Sequence, residues 1–270
     1  MYPLLLLPFL LLAQGSAPSV AWKSLDQGLD FGTIVLPSSA RGGQARVRVL
    51  RIDPKLWSLE FLGAGTVTGT PVRTAKEWSQ AYGLTAVINA GMFADDRVAH
   101  LGYVRYRGKI YNSRMNGYQS VASFDPIQRQ SRLFHIFDLD RGRGAISRIS
   151  KIYGSSVQNL RLIKRPGKNA WAQSNRRWSE AALAEDSSGR ILFVFSRFAL
   201  TVHDFCRLLL QSRIGVVAAQ HLEGGPEAQL YIRAGVSEME FFGSFETGFQ
   251  ENDLNSRAWP IPNVFGIRRR

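Results

Sequence analysis

"TAKEWSQAYGLTAVINAGMF", residues 74–93, joins three signals in one short stretch. Thr74 is a helix N-cap residue and Glu77 follows three positions later, the spacing of a capping box. The segment from Ala75 to Tyr82 therefore reads as a helix. The apolar run Ala86–Ile88 then reads as a short buried strand that stops at Asn89. Residues 201–225, "TVHDFCRLLLQSRIGVVAAQHLEGG", repeat the pattern. Thr201 caps a second helix with Asp204 at the third position, and Val202, Phe205, Cys206, Leu209 and Leu210 share one face. A buried strand follows and breaks at Glu223-Gly224-Gly225. Helix-then-strand units carry polar groups to the strand's far end, where sites gather in α/β sheets. Gly91, Gly224 and Gly225 permit positive φ and a close approach to the backbone. Two readings remain at each corner: Asn89 and Glu223 face a ligand, or they tie down their own turns.

The flanking sequence is rich in strand signals. "ARVRVLRI" and "LWSLEFL" alternate with period two. "LGYVRYRGKIYN" reads as a hairpin turning at Arg107-Gly108, and "QSVASFDP" as a further strand. "VQNLRLIKRPGK" is a strand or short helix entering a turn. "RWSEAALAEDSSGRILFVFS" reads as two long strands around Asp186-Ser187-Ser188-Gly189, and "AQLYIR" as another strand. Residues 129–151 mix strand and loop signals without a clear element. The Pro-interrupted tail "AWPIPNVFGIRRR" is expected along a sheet edge. The sum is one α+β domain: a large mixed or antiparallel β-sheet core with a few packed helices.

The first twenty residues have an apolar core, Leu4–Leu12, followed by small residues, as in a secretory leader. The run is too short to span a bilayer. The expected division is therefore a signal peptide over 1–20 and a domain over 21–270, secreted or periplasmic, with no transmembrane segment after leader removal. The only cysteine, Cys206, rules out an internal disulfide. The net charge is +13, but the basic residues are scattered and no nucleic-acid motif accompanies them. In "ARVRVLR" the arginines interleave with apolar residues, as on one solvated strand face. No nucleic-acid partner is expected; attraction to an acidic substrate or envelope polymer stays open. The sequence is silent on oligomeric state.

Taken in order, Asn89-Ala90-Gly91-Met92-Phe93, the hairpin opening at Arg177, and Leu222-Glu223-Gly224-Gly225 resemble the phosphodiester glycosidase family. The resemblance runs from about Val47 to Ile232. "EGGPEAQLYI" and "FETGF" look like marks of an exported bacterial subgroup. This chain differs from the family pattern in having Glu223 for the usual Asp, Pro226-Glu227 for Gly-Ser, and Trp178-Ser179 for Thr-Ala.

The resemblance implies hydrolysis of the glycosidic bond of a sugar-1-phosphodiester. Such a reaction has a phosphate monoester as leaving group, already a weak base, whose charge needs neutralising more than it needs a proton. A bidentate guanidinium suits phosphate oxygens, which nominates Arg177, with Lys109 second. The sugar carbon becomes oxocarbenium-like and calls for a carboxylate, which nominates Glu223 as nucleophile, stabiliser or base for water. Asn89 would hold a sugar hydroxyl or phosphate oxygen, His100 would exchange a proton, and Asp95 would contact substrate. His221 and Glu223 alternate on one strand and are expected to point the same way; with Asp95, Asp96 and His100 they would be the only candidate metal ligands. They lack a known ligand spacing, so neither metal nor cofactor is expected. Two rivals stand beside the enzyme: a binding module for anionic glycan or envelope polymer, and a structural envelope protein using its basic surface.

Overall fold

The computed structural model describes residues 20–36, 46–65, 71–140, 142 and 144–270. All but the final residue of the expected leader lies outside them. Among the described residues three sheets enclose one apolar core: one of eight strands and two of five. The pairs within them run antiparallel. The central core takes Leu50, Leu183 and Phe193 from the first sheet, Ala122, Phe124 and Val157 from the second, and Phe61, Ile88 and Phe265 from the third. The outer face of each sheet is covered by one helix. Val202–Gln211 packs Phe205, Cys206 and Leu209 on the large sheet's Val49, Ala182 and Val194. Ala75–Tyr82 lays Trp78 against Val87, Tyr231 and Val264. Gly144–Ile149 covers Val121 and Tyr153. Strands buried on both faces read as continuous apolar runs, which is why "AVI" and "ILFVF" carry no alternation.

Both capped helices form as their sequences dictate. Thr74 Oγ1 accepts the Glu77 N–H at 3.2 Å while the Glu77 carboxylate accepts the Thr74 N–H at 2.8 Å. Thr201 Oγ1 accepts the Asp204 N–H at 3.1 Å. The hairpin at Arg107-Gly108 closes with φ of 48° and 84°, a turn that a right-twisted ribbon favours.

Three expectations change. The tail does not lie at an edge: Asn263–Arg269 sits inside its sheet, between Trp57–Gly63 and Ala86–Asn89. Pro260 and Pro262 precede it, so no ladder N–H is lost. Residues 129–151 resolve into the strand Phe134–Asp138 and the short helix Gly144–Ile149. The arginines of "ARVRVLR" do not share a solvated face. Arg48 and Arg51 fall on opposite sides of Arg46–Ile52, both half-buried. Arg48 bonds Thr33 Oγ1 at 2.7 Å, and Arg51 pairs with Asp30 at 2.9 Å while lying 3.9 Å over the Trp22 ring.

A buried carboxylate clasps two of the sheets. Glu185, 0% exposed, accepts from Arg132, His135, the Ile136 N–H and Arg165 at 2.5–3.2 Å. Burial alone would raise this carboxyl, but His135, the Ile136 N–H and Arg165 together hold it below the usual range. Glu185→Ala should cost about 3 kcal/mol in urea unfolding at neutral pH by removing the shared acceptor of Arg165, Arg132, His135 and the buried Ile136 N–H. A carboxyl with a depressed folded pKa stabilises above its unfolded pKa and loses that contribution as acid protonates it. The gap between wild type and variant should therefore narrow as the pH falls.

Candidate functional site

The strand Ala86–Asn89 runs between Gln229–Ala234 and Asn263–Arg269. Ala86 and Ile88 enter the central core and Val87 meets the helix Ala75–Tyr82. Asn89 is 2% exposed. Its side-chain oxygen accepts the Gln229 N–H at 3.0 Å, so it spans to the second corner rather than bonding its own turn. Its amide nitrogen is buried without a partner, a donor in need of an acceptor. Gly91 follows with φ 133°. A Cβ there would collide with the Asn159 amide oxygen and come within 2.7 Å of His100 Nε2. Asn159 in turn donates to the Ala90 carbonyl at 3.0 Å. His100 accepts the Gly102 N–H at Nδ1, 3.0 Å away, and burial holds its pKa down. The imidazole therefore backs the corner as a neutral ring rather than as a charge.

The second corner arrives on Val216–Gly224. That strand bulges against Trp178–Asp186: His221 stands opposite Ala182, and Glu223 opposite the adjacent Ala181. Ala182 belongs to the outer core and Ala181 to the central one. His221 and Glu223 thus leave opposite faces of the sheet, contrary to simple alternation, because Leu222 is an extra residue in the ladder. His221 turns to Glu180, whose Oε1 lies 2.6 Å from its Nδ1. Burial would lower the His221 pKa, but the charge and hydrogen bond of Glu180 raise it. Glu223 turns inward, bonded to the Gly224 N–H at 3.1 Å. Burial, with repulsion from Glu227 and Glu246, pushes its pKa up to about 7 against the pull of His221 and Gly224. Burial also raises Glu227, with the Glu246 charge adding to it against Arg97, and burial raises Glu246 against the pull of His221 and Arg176.

Tyr118 joins the two corners. Burial and then the Glu223 charge raise its hydroxyl pKa, and that hydroxyl lies 3.8 Å from Met92 Sδ, on the Asn89 corner. Arg97, in the loop after Met92, exerts its charge on Glu227. Asn89, Gly91, Glu223, Gly224 and Gly225 therefore share one region. The glycines of the second corner are needed for space: a Cβ on Gly224 would press within 2.6 Å of Trp178, and one on Gly225, at φ 61°, would strike the Glu246 carboxylate.

Other nominated residues sit further out. Arg177 is exposed; its backbone N–H donates to Thr247 Oγ1 at 2.9 Å and its carbonyl accepts the Thr247 N–H at 3.0 Å, leaving the guanidinium at the rim. Its neighbour Arg176 is the arginine whose charge reaches Glu246. Lys109 is exposed on the edge strand Lys109–Asn112, 5.0 Å over the Tyr111 ring. That strand reaches the corner only through Asn112, which donates to the His100 carbonyl at 2.6 Å. Asp95 is exposed beside Asp96, which accepts the N–H groups of Val98 and Ala99. Among the described residues no three His, Cys, Asp or Glu side chains form a group able to hold a metal ion.

Sequence reasoning missed Tyr118, Glu180, Glu227 and Glu246 as members of this region. Glu180 had a signal, a charge beside the apolar run Ala181–Ala184 of its strand; Tyr118 had none.

A family model for phosphodiester glycosidases matches residues 82–268, most of the 270-residue chain and both corners. The chain belongs to the phosphodiester glycosidase family. Its fold is found in solved structures of low identity. A hypothetical protein from Synechocystis superposes with a TM-score of 0.66 at 15% identity, covering 94% of this chain and 64% of that one. The chain thus spans less than two thirds of that relative's length. The catalytic domain of zebrafish N-acetylglucosamine-1-phosphodiester alpha-N-acetylglucosaminidase, auto-inhibited by its pro-peptide, gives 0.65 at 12% identity, covering 93% and 88%. No curated protein matches.

In a phosphodiester glycosidase built this way Gly91 admits no side chain. Gly91→Ala should lose about 1–3 kcal/mol in thermal unfolding, from strain at a positive φ plus the clash with Asn159. A melting curve matching wild type would show that the corner relaxes freely.

Proposed function

We propose that this phosphodiester glycosidase is an exported hydrolase that cleaves the bond between the anomeric carbon and the phosphate oxygen of a sugar-1-phosphodiester, with Glu223 as its working carboxylate. The coarse activity is that of the family. The observation that carries the residue assignment is the inward turn of Glu223 at the bulge, in a region where Asn89 keeps an amide N–H without an acceptor.

The chemistry follows from these groups. Ionised Glu223 faces the sugar carbon as positive charge develops there, either bonding to it or taking a proton from the incoming water. The C–O bond to phosphate breaks, the phosphate monoester leaves, and water supplies the hydroxyl. The Asn89 amide donates to a sugar hydroxyl or phosphate oxygen. Three carboxylates would repel an anionic substrate if all were ionised. The raised pKa values of Glu223, Glu227 and Glu246 reduce that charge, and Arg97, Arg176 and Arg177 supply the opposite sign. His100 is assigned to positioning, since burial keeps it neutral. Lys109 and Asp95, both exposed, are assigned no step in the bond cleavage. Export rests on the apolar leader of residues 1–20, and a secreted or periplasmic location suits a protein of net charge +13 acting on anionic material. No metal or cofactor enters this scheme, so turnover should survive a chelator.

Glu223→Gln should lower kcat about 10²–10⁴-fold against sugar-1-phosphodiesters while leaving ligand binding in place. A binding module would keep its whole function in that variant, which separates the alternative reading. In the wild type the ionised form of Glu223 is the active one, so kcat/KM should rise with pH through an apparent pKa about 7 and then level off. A rate that instead falls through that range would assign Glu223 the role of acid.

A further inference from the structure

One loop belongs to the site by one of its residues and to the surface by two others. It leaves the sheet after Phe242 and closes on itself at Asn255, whose N–H donates to Ser244 Oγ at 3.2 Å and whose side-chain amide donates to the Gly243 carbonyl at 2.7 Å. Inside it the Glu246 N–H donates to the Gln250 carbonyl at 2.7 Å, the Phe249 N–H to the Glu246 carbonyl at 3.1 Å, and the Gly248 N–H to Glu251 at 2.7 Å. Arg197 fixes the far side through the Asn255 carbonyl at 2.8 Å and the Asp253 carboxylate at 2.8 Å. It is a braced Ω-type loop, so what it exposes is held in place.

It exposes two large apolar side chains. Phe249 is 62% and Leu254 83% open to solvent. Phe249 meets Trp259 edge to face, ring centres 6.1 Å apart. The Trp259 carbonyl accepts the Gln229 side-chain amide at 2.5 Å, and Gln229 is the residue whose backbone holds Asn89. Phe249 is therefore linked to the Asn89 corner through Trp259 and Gln229, and its loop carries Glu246, which lies against Gly225 of the other corner. Arg176 and Arg177 flank it, Arg177 bonded through its backbone to Thr247 of the same loop.

We infer that loop 244–255, with Trp259, is the subsite for the leaving half of the substrate, and that it takes a phosphate carrying an apolar aglycone. This rests on the hydrolase reading above. A cationic pair next to a fixed apolar rim is complementary to an anionic phosphate with a hydrocarbon attached. A wholly polar leaving group would leave Phe249 and Leu254 in water with nothing gained. The sugar half binds deeper, at Asn89 and Glu223, and the rim selects among diesters of the same sugar by what lies beyond phosphorus.

The test uses methyl and octyl phosphodiesters of one sugar, with binding measured by calorimetry on the Glu223→Gln protein. Without turnover, affinity is read apart from catalysis. The octyl diester should bind about tenfold or more tightly than the methyl diester, since a few buried methylenes suffice for that ratio. Adding Phe249→Ala and Leu254→Ser should bring the ratio to about one, whereas Phe249→Leu, which keeps apolar area, should retain most of it. Equal binding of the two diesters, or a preference unmoved by the rim substitutions, overturns the inference while leaving the hydrolase reading intact. Failure of both diesters to bind while wild type still turns over other sugar phosphodiesters also overturns it. Absence of both binding and turnover removes the hydrolase reading and this inference together.

Discussion

The hydrogen bond from the Gln229 N–H to the Asn89 side-chain oxygen joins positions 140 apart in sequence, and the region's geometry depends on it. It lies between neighbouring strands, buried, at the point where both chains leave the ladder. An amide side chain is well suited there: its oxygen replaces the lost ladder acceptor, and its nitrogen is left as a buried donor without a protein partner. An aspartate would satisfy Gln229 but offer no donor, and a leucine would strand the Gln229 N–H. The link also fixes Gln229, whose side chain accepts the Ala75 N–H at 2.8 Å, so the first helix is anchored to the same point. Helix, both corners and the loop bearing Glu246 thus share one set of constraints.

Much of this was legible in the sequence because it is local. Thr74 with Glu77, Thr201 with Asp204, and the turns at Arg107-Gly108 and Asp186–Gly189 are decided by neighbours within a few residues, and each formed where its residues called for it. The two corners were legible because a short apolar run ending in Asn or Glu beside glycine is hard to explain as core alone. What failed is non-local. The sheet position of Asn263–Arg269 depends on which strands lack a partner, which no local window contains. The opposite facings of His221 and Glu223 depend on one extra residue in a ladder formed with Trp178–Asp186. Glu246 enters the region from a loop whose path is fixed by Ser244, Asn255 and Arg197, contacts set by tertiary structure.

Charge organises the region in two layers. Beneath the sheet, Glu180 and His221 form a close, buried pair that Trp178 also supports through its indole N–H. Above it, Glu223, Glu227 and Glu246 have no equally close cation, and burial raises all three. The bulge at Leu222 separates the layers. His221 still pulls on Glu223, but its close partner is Glu180, so burial keeps the Glu223 pKa raised.

The interior position of Asn263–Arg269 has a consequence for how the molecule is made. Ala86–Asn89 is flanked by Gln229–Ala234 on one side and by that late strand on the other, so neither neighbour is near it in the chain. A nascent polypeptide emerging from its N-terminal side exposes the first corner long before anything can cover it. Contacts this distant make assembly slow and post-synthetic, and they keep an unfinished chain extended. The third sheet therefore closes last, when Asn263–Arg269 enters between its two neighbours.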